Sequence, residues 1–315
     1  MAQLAAVNQS DVRKLLLSIS PRRTDEINTL LDDLKPEWLI DRESDRNLFR
    51  ARPGEPNRIL IGLKCSKRLQ AHAYATAVVL SSIGKTKSER DHLLAPVDQL
   101  LNWAVGVDLT RWLDNVGVSL EPGHILRATD RELPESLLAQ LSSVSKRVGM
   151  EFFKYAIAFI LLHELAHLQL GHTSQHGLPS LIQEKEADRF AAEWMADATA
   201  FLKADGQELV RFCAVYGIMI ALLWLTIFNV FLGPAETETH PEGYDRLFQV
   251  MDQVINKNDD EEEYLALWQS VTTMLVIHMT SAGYDLNESD VQGDPRDQAN
   301  YLIDRISKLD RKRSS

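Results

Sequence analysis

The residues best suited to chemistry lie in one short stretch, LLHELAHLQLGH, at 161–172. Three histidines and a glutamate sit there among leucines and alanines, a setting in which polar groups are costly without partners. His163 and His167 are four residues apart, so on a helix they share a face about one turn apart. The same face carries Ala156, Ile160 and Leu170, which turns it inward. Two imidazoles on an inward stripe can hold one Zn2+ through ring nitrogens at about 2.0–2.1 Å. Glu164 is rotated by about 100° from His163, yet it reaches a water beside the ligands and can take its proton. The pattern is HExxH: two metal ligands and a base from one helical turn.

Catalytic zinc takes three protein ligands and keeps a position open. The third is expected from the next helix, SLIQEKEADRFAAEWM, at 180–195. Its inward stripe runs Ala187, Phe190, Ala191, Trp194 and Met195, and extended backward it includes Glu184. Asp188, at i+4, is then placed to accept the free ring N–H of one ligand histidine and fix its tautomer. Glu186 competes for the ligand role, but its own i+4 neighbour is Phe190 and it lies off the stripe, so Glu184 is preferred. His172 is not expected to be a ligand. A three-histidine HExxHxxGxxH site needs glycine at 170 and histidine at 173, where this chain has Leu170 and Thr173. Gly171 reads as a helix stop and His172 as a capping or rim residue.

Further on stands THPEGYDR, 239–246. His240 has two readings of equal weight. One is a helix N-terminus with Pro241 at the first helical position. The other is a catalytic group that stabilises the oxyanion formed at an attacked carbonyl. Arg246 is read as an anchor for that loop or as a group that binds substrate backbone.

The elements that must position these residues are mostly helical. Periodicity predicts helices over 3–18, 24–34, 67–83, 91–105, 137–170 (with a break near Gly149), 180–203, 207–232, 243–256, 261–281 and 294–312. A β-hairpin is expected from Leu48–Arg52 and Arg58–Lys64, joined by the Pro-Gly-rich turn RPGEPN. The stretch 106–135 reads as irregular. The fold class is therefore mainly α (α+β) with a small N-terminal hairpin. The expected organisation is an N-terminal region 1–134, a catalytic core 135–256 and a helical extension 257–315, together one continuous globular unit.

Composition narrows the function. The formal net charge is -11 and no basic stripe is present, which argues against nucleic acid as a partner. The acidic run Asp259–Glu263 reads as a solvated turn or helix start, and Arg311-Lys312-Arg313 as a solvated tail. Cys65 and Cys213 are far apart and in apolar surroundings, as expected of buried reduced thiols in a cytoplasmic protein. The N-terminal residues carry Asp11, Arg13 and Lys14 within their apolar run, so no signal peptide is expected. Residues 213–232 form an uncharged run long enough to span a bilayer. It can equally be the central helix of a large core. The sequence leaves open a buried helix or contact with the inner membrane.

The order HELAH, EKEAD, THPEGYDR resembles the gluzincin metallopeptidases, whose third ligand is the glutamate of ExxAD. Within them it is most similar to the Lit-type phage-exclusion peptidases of bacteria, over about 150–250; the first 130 residues match only in general layout. The resemblance implies a zincin-like zinc endopeptidase with His163, His167 and Glu184 as ligands and Glu164 as base. It further implies an intracellular protein substrate, a translation elongation factor cleaved during phage infection, and a phage-derived peptide as activator. Two other families share parts of the pattern. ImmA/IrrE-type repressor-cleaving peptidases have a similar EADRFAAEWM helix, but it commonly ends in Met-Pro where this chain has Met195-Ala196. HtpX-type membrane peptidases share HExxH, ExxAD and HP-x4-R, but carry several spans. A non-enzymatic alternative is a structural-zinc, phage-sensing binding module. Such sites usually have four protein ligands and more cysteine.

Overall fold

A computed structural model of the chain describes residues 4–41, 49–105, 133, 135–172, 181–204, 206–232, 243–254, 261–281 and 293–311. It is mostly helical, with one small sheet near the N-terminus. The sheet contains β1 (Leu4–Ala6), β2 (Glu37–Asp41), β3 (Phe49–Arg52) and β4 (Arg58–Gly62). Its order is β1-β2-β4-β3. The expected hairpin is present as the antiparallel pair β3–β4, with Ala51 opposite Ile59. Strands β1 and β2 were not anticipated. β1 runs antiparallel to β2, and β2 runs parallel to β4.

The first helix begins later than periodicity suggests. Asn8 accepts the Ser10 N–H through its side chain and so starts α1 at Gln9–Ile19, leaving Leu4–Ala6 to the sheet. Then come α2 (Thr24–Leu34), α3 (Leu63–Ser82), α4 (Lys87–Leu94) and α5 (Val97–Val105). The predicted helix 91–105 is thus two helices. A capping box between Thr86 and Glu89 starts the first of them. The predicted helix 137–170 is also divided, but not at Gly149. The break falls between α6 (Glu135–Ala139) and α7 (Ser143–Gln169), where the Ser142 side chain caps α7. Gly149 sits within α7 because Tyr74 of α3 lies against it, 2.4 Å from where a Cβ would be. The remaining helices are α8 (Leu181–Ala204), α9 (Glu208–Leu232), α10 (Gly243–Val254), α11 (Glu261–Ser281) and α12 (Pro295–Arg311).

α7 is the axis of the fold. From Tyr155 to Leu168 every residue is buried, so the helix is enclosed on all sides. It packs against α3, α8, α9 and strand β3. Small residues permit the closest approaches. Ala71, Ala73, Ala75 and Ala77 of α3 are fully buried, and Gly217 of α9 lies on the α7 backbone, where a Cβ would stand 2.9 Å from the Phe152 carbonyl oxygen. One apolar cluster runs from Val12 of α1 to Ile303 of α12, so all three sequence regions share a core. Helix α9 is long and apolar enough to cross a membrane, and 78% of its most apolar stretch is buried inside the protein. Trp224, on that helix, is buried and donates its ring N–H to the Ala104 carbonyl at 3.0 Å.

Candidate active site

The C-terminal turns of α7 bring His163, Glu164 and His167 into the interior, exposed by 6%, 7% and 4%. Glu184 and Asp188, on the first turns of α8, face them and are buried as deeply. The four-residue spacing on each helix therefore does what periodicity requires: it stacks like positions on one inward face.

His163, His167 and Glu184 form a buried group that could bind a metal. The two Nε2 atoms are 3.1 Å apart, His163 Nε2 is 3.3 Å from Glu184 Oε2, and His167 Nε2 is 3.5 Å from Glu184 Oε1. Around a tetrahedral ion with bonds of 2.0–2.1 Å, donors are separated by about 3.3 Å. The observed spacings bracket that value, and two imidazoles with one carboxylate are a donor set suited to catalytic zinc. Zinc therefore fits the residues present.

Electrostatics favours a cation at the same place. Burial opposes charge on His163, but Asp188 and Glu184 outweigh it and raise its pKa to about 10. The carboxylates thus draw a proton onto His163, and a dication would serve the same need. His163 Nδ1 lies 2.9 Å from Asp188 Oδ1, close though not well aligned for a hydrogen bond. Asp188 is in turn gripped by Arg246 of α10, which donates from Nε to Oδ2 at 2.7 Å and from Nη2 to Oδ1 at 2.8 Å. Burial pushes the Asp188 carboxyl up, but Arg246 and His163 prevail and hold it below the usual carboxylate range.

Glu164 points elsewhere. Its Oε2 accepts the backbone N–H of Ala51 from β3 at 2.5 Å. β3 is the end strand of the sheet, and Ala51 turns its N–H to α7 instead of to β4. The Glu164 carboxylate and the end strand are thereby held side by side.

Residues 72–271 match the description of peptidase U49. The chain belongs to the peptidase U49 family. The match includes every site residue named so far except Ala51 of β3, and reaches well upstream of the 150–250 stretch on which the sequence resemblance rests. The U49 chain is also 26% identical over 255 residues to the cell death peptidase of Escherichia coli (strain K12), covering 78% of each protein. That similarity supports the Lit-type resemblance. No solved structure matches the chain. A U49 peptidase implies a protein substrate.

Two sequence readings narrow to one of their alternatives in this U49 peptidase. Arg246 is 8% exposed, and its Nε and Nη2 are committed to Asp188, with Glu184 Oε2 3.6 Å from Nη1. It is an internal anchor, not a group presented to substrate. His172 is likewise buried, at 8% exposure, and not at the rim. Its Nδ1 is 2.9 Å from His167 Nδ1, and its Nε2 is 3.0 Å from Glu186 Oε2. Burial and the neighbouring His167 push its pKa down. A signal for this contact existed in HLQLGH. Gly171, at φ +63°, ends α7 in a Schellman motif, with the His172 N–H on the His167 carbonyl at 2.9 Å. That motif brings the residue after the glycine back over the helix position five before it. His240 lies outside the described residues.

Proposed function

We propose that the chain is a zinc-dependent endopeptidase that hydrolyses peptide bonds of a protein target inside the bacterial cell. The observation that carries this reading is the buried donor triangle of His163, His167 and Glu184 with Glu164 on the same helical turn. The ion would be held by Nε2 of both histidines and by the Glu184 carboxylate. Bound there, zinc supplies Lewis-acid polarisation of a carbonyl and makes a water acidic enough to lose its proton near pH 7. Glu164 accepts that proton on Oε1, its Oε2 being engaged by Ala51, and returns it to the leaving amine. Asp188, fixed by Arg246, keeps the His163 ring turned so that Nε2 faces Glu184. The outer edge of β3 suits an extended peptide, which can add to it as a further strand. A peptide added there would run beside Glu164, which supports a peptide over a smaller amide as substrate.

Two variants test the ligand assignment. Glu184→Ala is expected to purify without zinc, whereas Glu186→Ala keeps one equivalent, as read by elemental analysis of the purified chains. The reverse result would transfer the ligand role to Glu186.

The Lit-type resemblance extends the proposal to phage exclusion, with a translation elongation factor as substrate and a phage-derived peptide as activator. Proteomics of new protein termini after induced expression, wild type against Glu164→Gln, identifies the target. Absence of elongation-factor termini from the wild-type sample would remove that part of the reading. We propose that the chain is cytoplasmic with α9 as a core helix, because 78% of the most apolar stretch of α9 is buried inside the protein. Carbonate extraction of membranes is expected to release the chain completely. Retention in the pellet would make α9 a span.

A further inference from the structure

We propose that His172 and Glu186 form a positioning relay behind His167: Glu186 orients the His172 ring, and His172 fixes the tautomer and ring angle with which His167 presents Nε2 to a metal. The inference rests on the metal-site reading above. An ionised carboxylate only accepts, so the His172 Nε2 that lies 3.0 Å from Glu186 Oε2 carries a hydrogen. Two ring nitrogens at hydrogen-bond distance share one hydrogen, and with its own hydrogen on Nε2 the His172 ring is the acceptor at Nδ1. That atom is 2.9 Å from His167 Nδ1, which must donate to it. His167 Nε2 is consequently bare, and it is the atom that faces His163 Nε2 at 3.1 Å and Glu184 Oε1 at 3.5 Å. Two bonds in sequence set two tautomers, and they end on the nitrogen that a cation needs.

The backbone is built to the same purpose. The Schellman stop ties the His172 N–H to the His167 carbonyl, so main chain and side chain of His172 both close on the same residue. The position after the stop usually makes an apolar contact with that helix residue; here an imidazole occupies it. The two histidines are thus backed differently. His163 meets a carboxylate directly, locked by Arg246. His167 reaches one through an intervening ring, and that carboxylate is about half exposed, with 46% of its side chain accessible.

Zinc affinity of the purified full chain, measured by competition with a chromophoric chelator, tests the relay. His172→Phe keeps a ring but removes the acceptor, and is expected to bind zinc about 10–100-fold more weakly. His172→Asn returns an acceptor oxygen near the place of Nδ1 and is expected to recover most of that loss. Glu186→Gln is expected to weaken zinc a few-fold in the wild-type background and not at all beside His172→Phe, because Glu186 acts only through His172. The relay is overturned by wild-type affinity in His172→Phe, by His172→Asn binding no better than His172→Phe, or by an equal effect of Glu186→Gln in both backgrounds. If the His172 variants do not fold, Glu186→Gln alone decides, since its site is partly at the surface: unchanged affinity rejects the relay. A wild-type chain that takes up no zinc defeats the metal reading itself, whereas zinc-binding wild type with unaffected variants defeats only the relay.

Discussion

Glu164→Gln is expected to retain zinc and to lose cleavage by roughly 10²–10⁴-fold, the range that a positioned acid–base group contributes. The substitution is close to isosteric. A glutamine carbonyl oxygen can still accept the Ala51 N–H, so the link between α7 and the strand edge survives. Glu164 is not among the grouped donors His163, His167 and Glu184 that could bind a metal. What disappears is a group able to take a proton, because an amide is not a base near neutral pH. The measurement pairs elemental analysis with the rate of target cleavage by the purified variant. Cleavage at the wild-type rate with zinc bound would remove Glu164 from the mechanism. Loss of zinc would show instead that the residue belongs to the metal's own shell.

Residues whose partners are near in sequence were the legible ones. HELAH and EKEAD each place their polar groups by helical period alone, which puts His163, His167, Glu184 and Asp188 on inward faces without reference to any tertiary contact. The hairpin β3–β4 was similarly local. β2 was not: EWLID is five residues long, and its parallel partner β4 lies beyond β3, so no short-range pattern announces it. Gly149 misled for a related reason. Its glycine answers to Tyr74 on another helix, not to a break in its own. The two histidine-backing devices divide along the same line. Asp188 follows from i+4 geometry, whereas the Glu186 contact to His172 depends on how α8 docks beside the stop of α7.

The second large effect concerns stability and falls on Arg246. Arg246→Met, which fills similar volume without charge, is expected to destabilise the metal-free chain by about 3–5 kcal/mol, the cost of stranding one partner of a buried ion pair. Asp188 is 4% exposed, so water cannot replace the lost guanidinium. Arg246→Lys is expected to rescue little, because an ammonium cannot reproduce the two parallel bonds from Nε and Nη2. The pH dependence gives the effect its signature. In the wild type the Asp188 carboxyl lies below its ordinary range, since Arg246 and His163 overcome burial. A carboxyl depressed on folding adds stability above its unfolded pKa, and that stability is lost as pH falls through the lower folded value. Without Arg246 the largest remaining influence is burial, which raises the carboxyl and favours its protonated form. The gap between wild type and Arg246→Met is therefore widest at neutral pH and narrows as pH falls through the raised carboxyl range of the variant and then the depressed range of the wild type, the unfolded carboxyl being common to both. Denaturant unfolding of both chains, in chelator and across pH 3–7, measures that gap. Equal stability at pH 7, or a gap that stays constant into acid, would mean that Arg246 does not hold the buried carboxylate, and that the second support of His163 must be sought elsewhere.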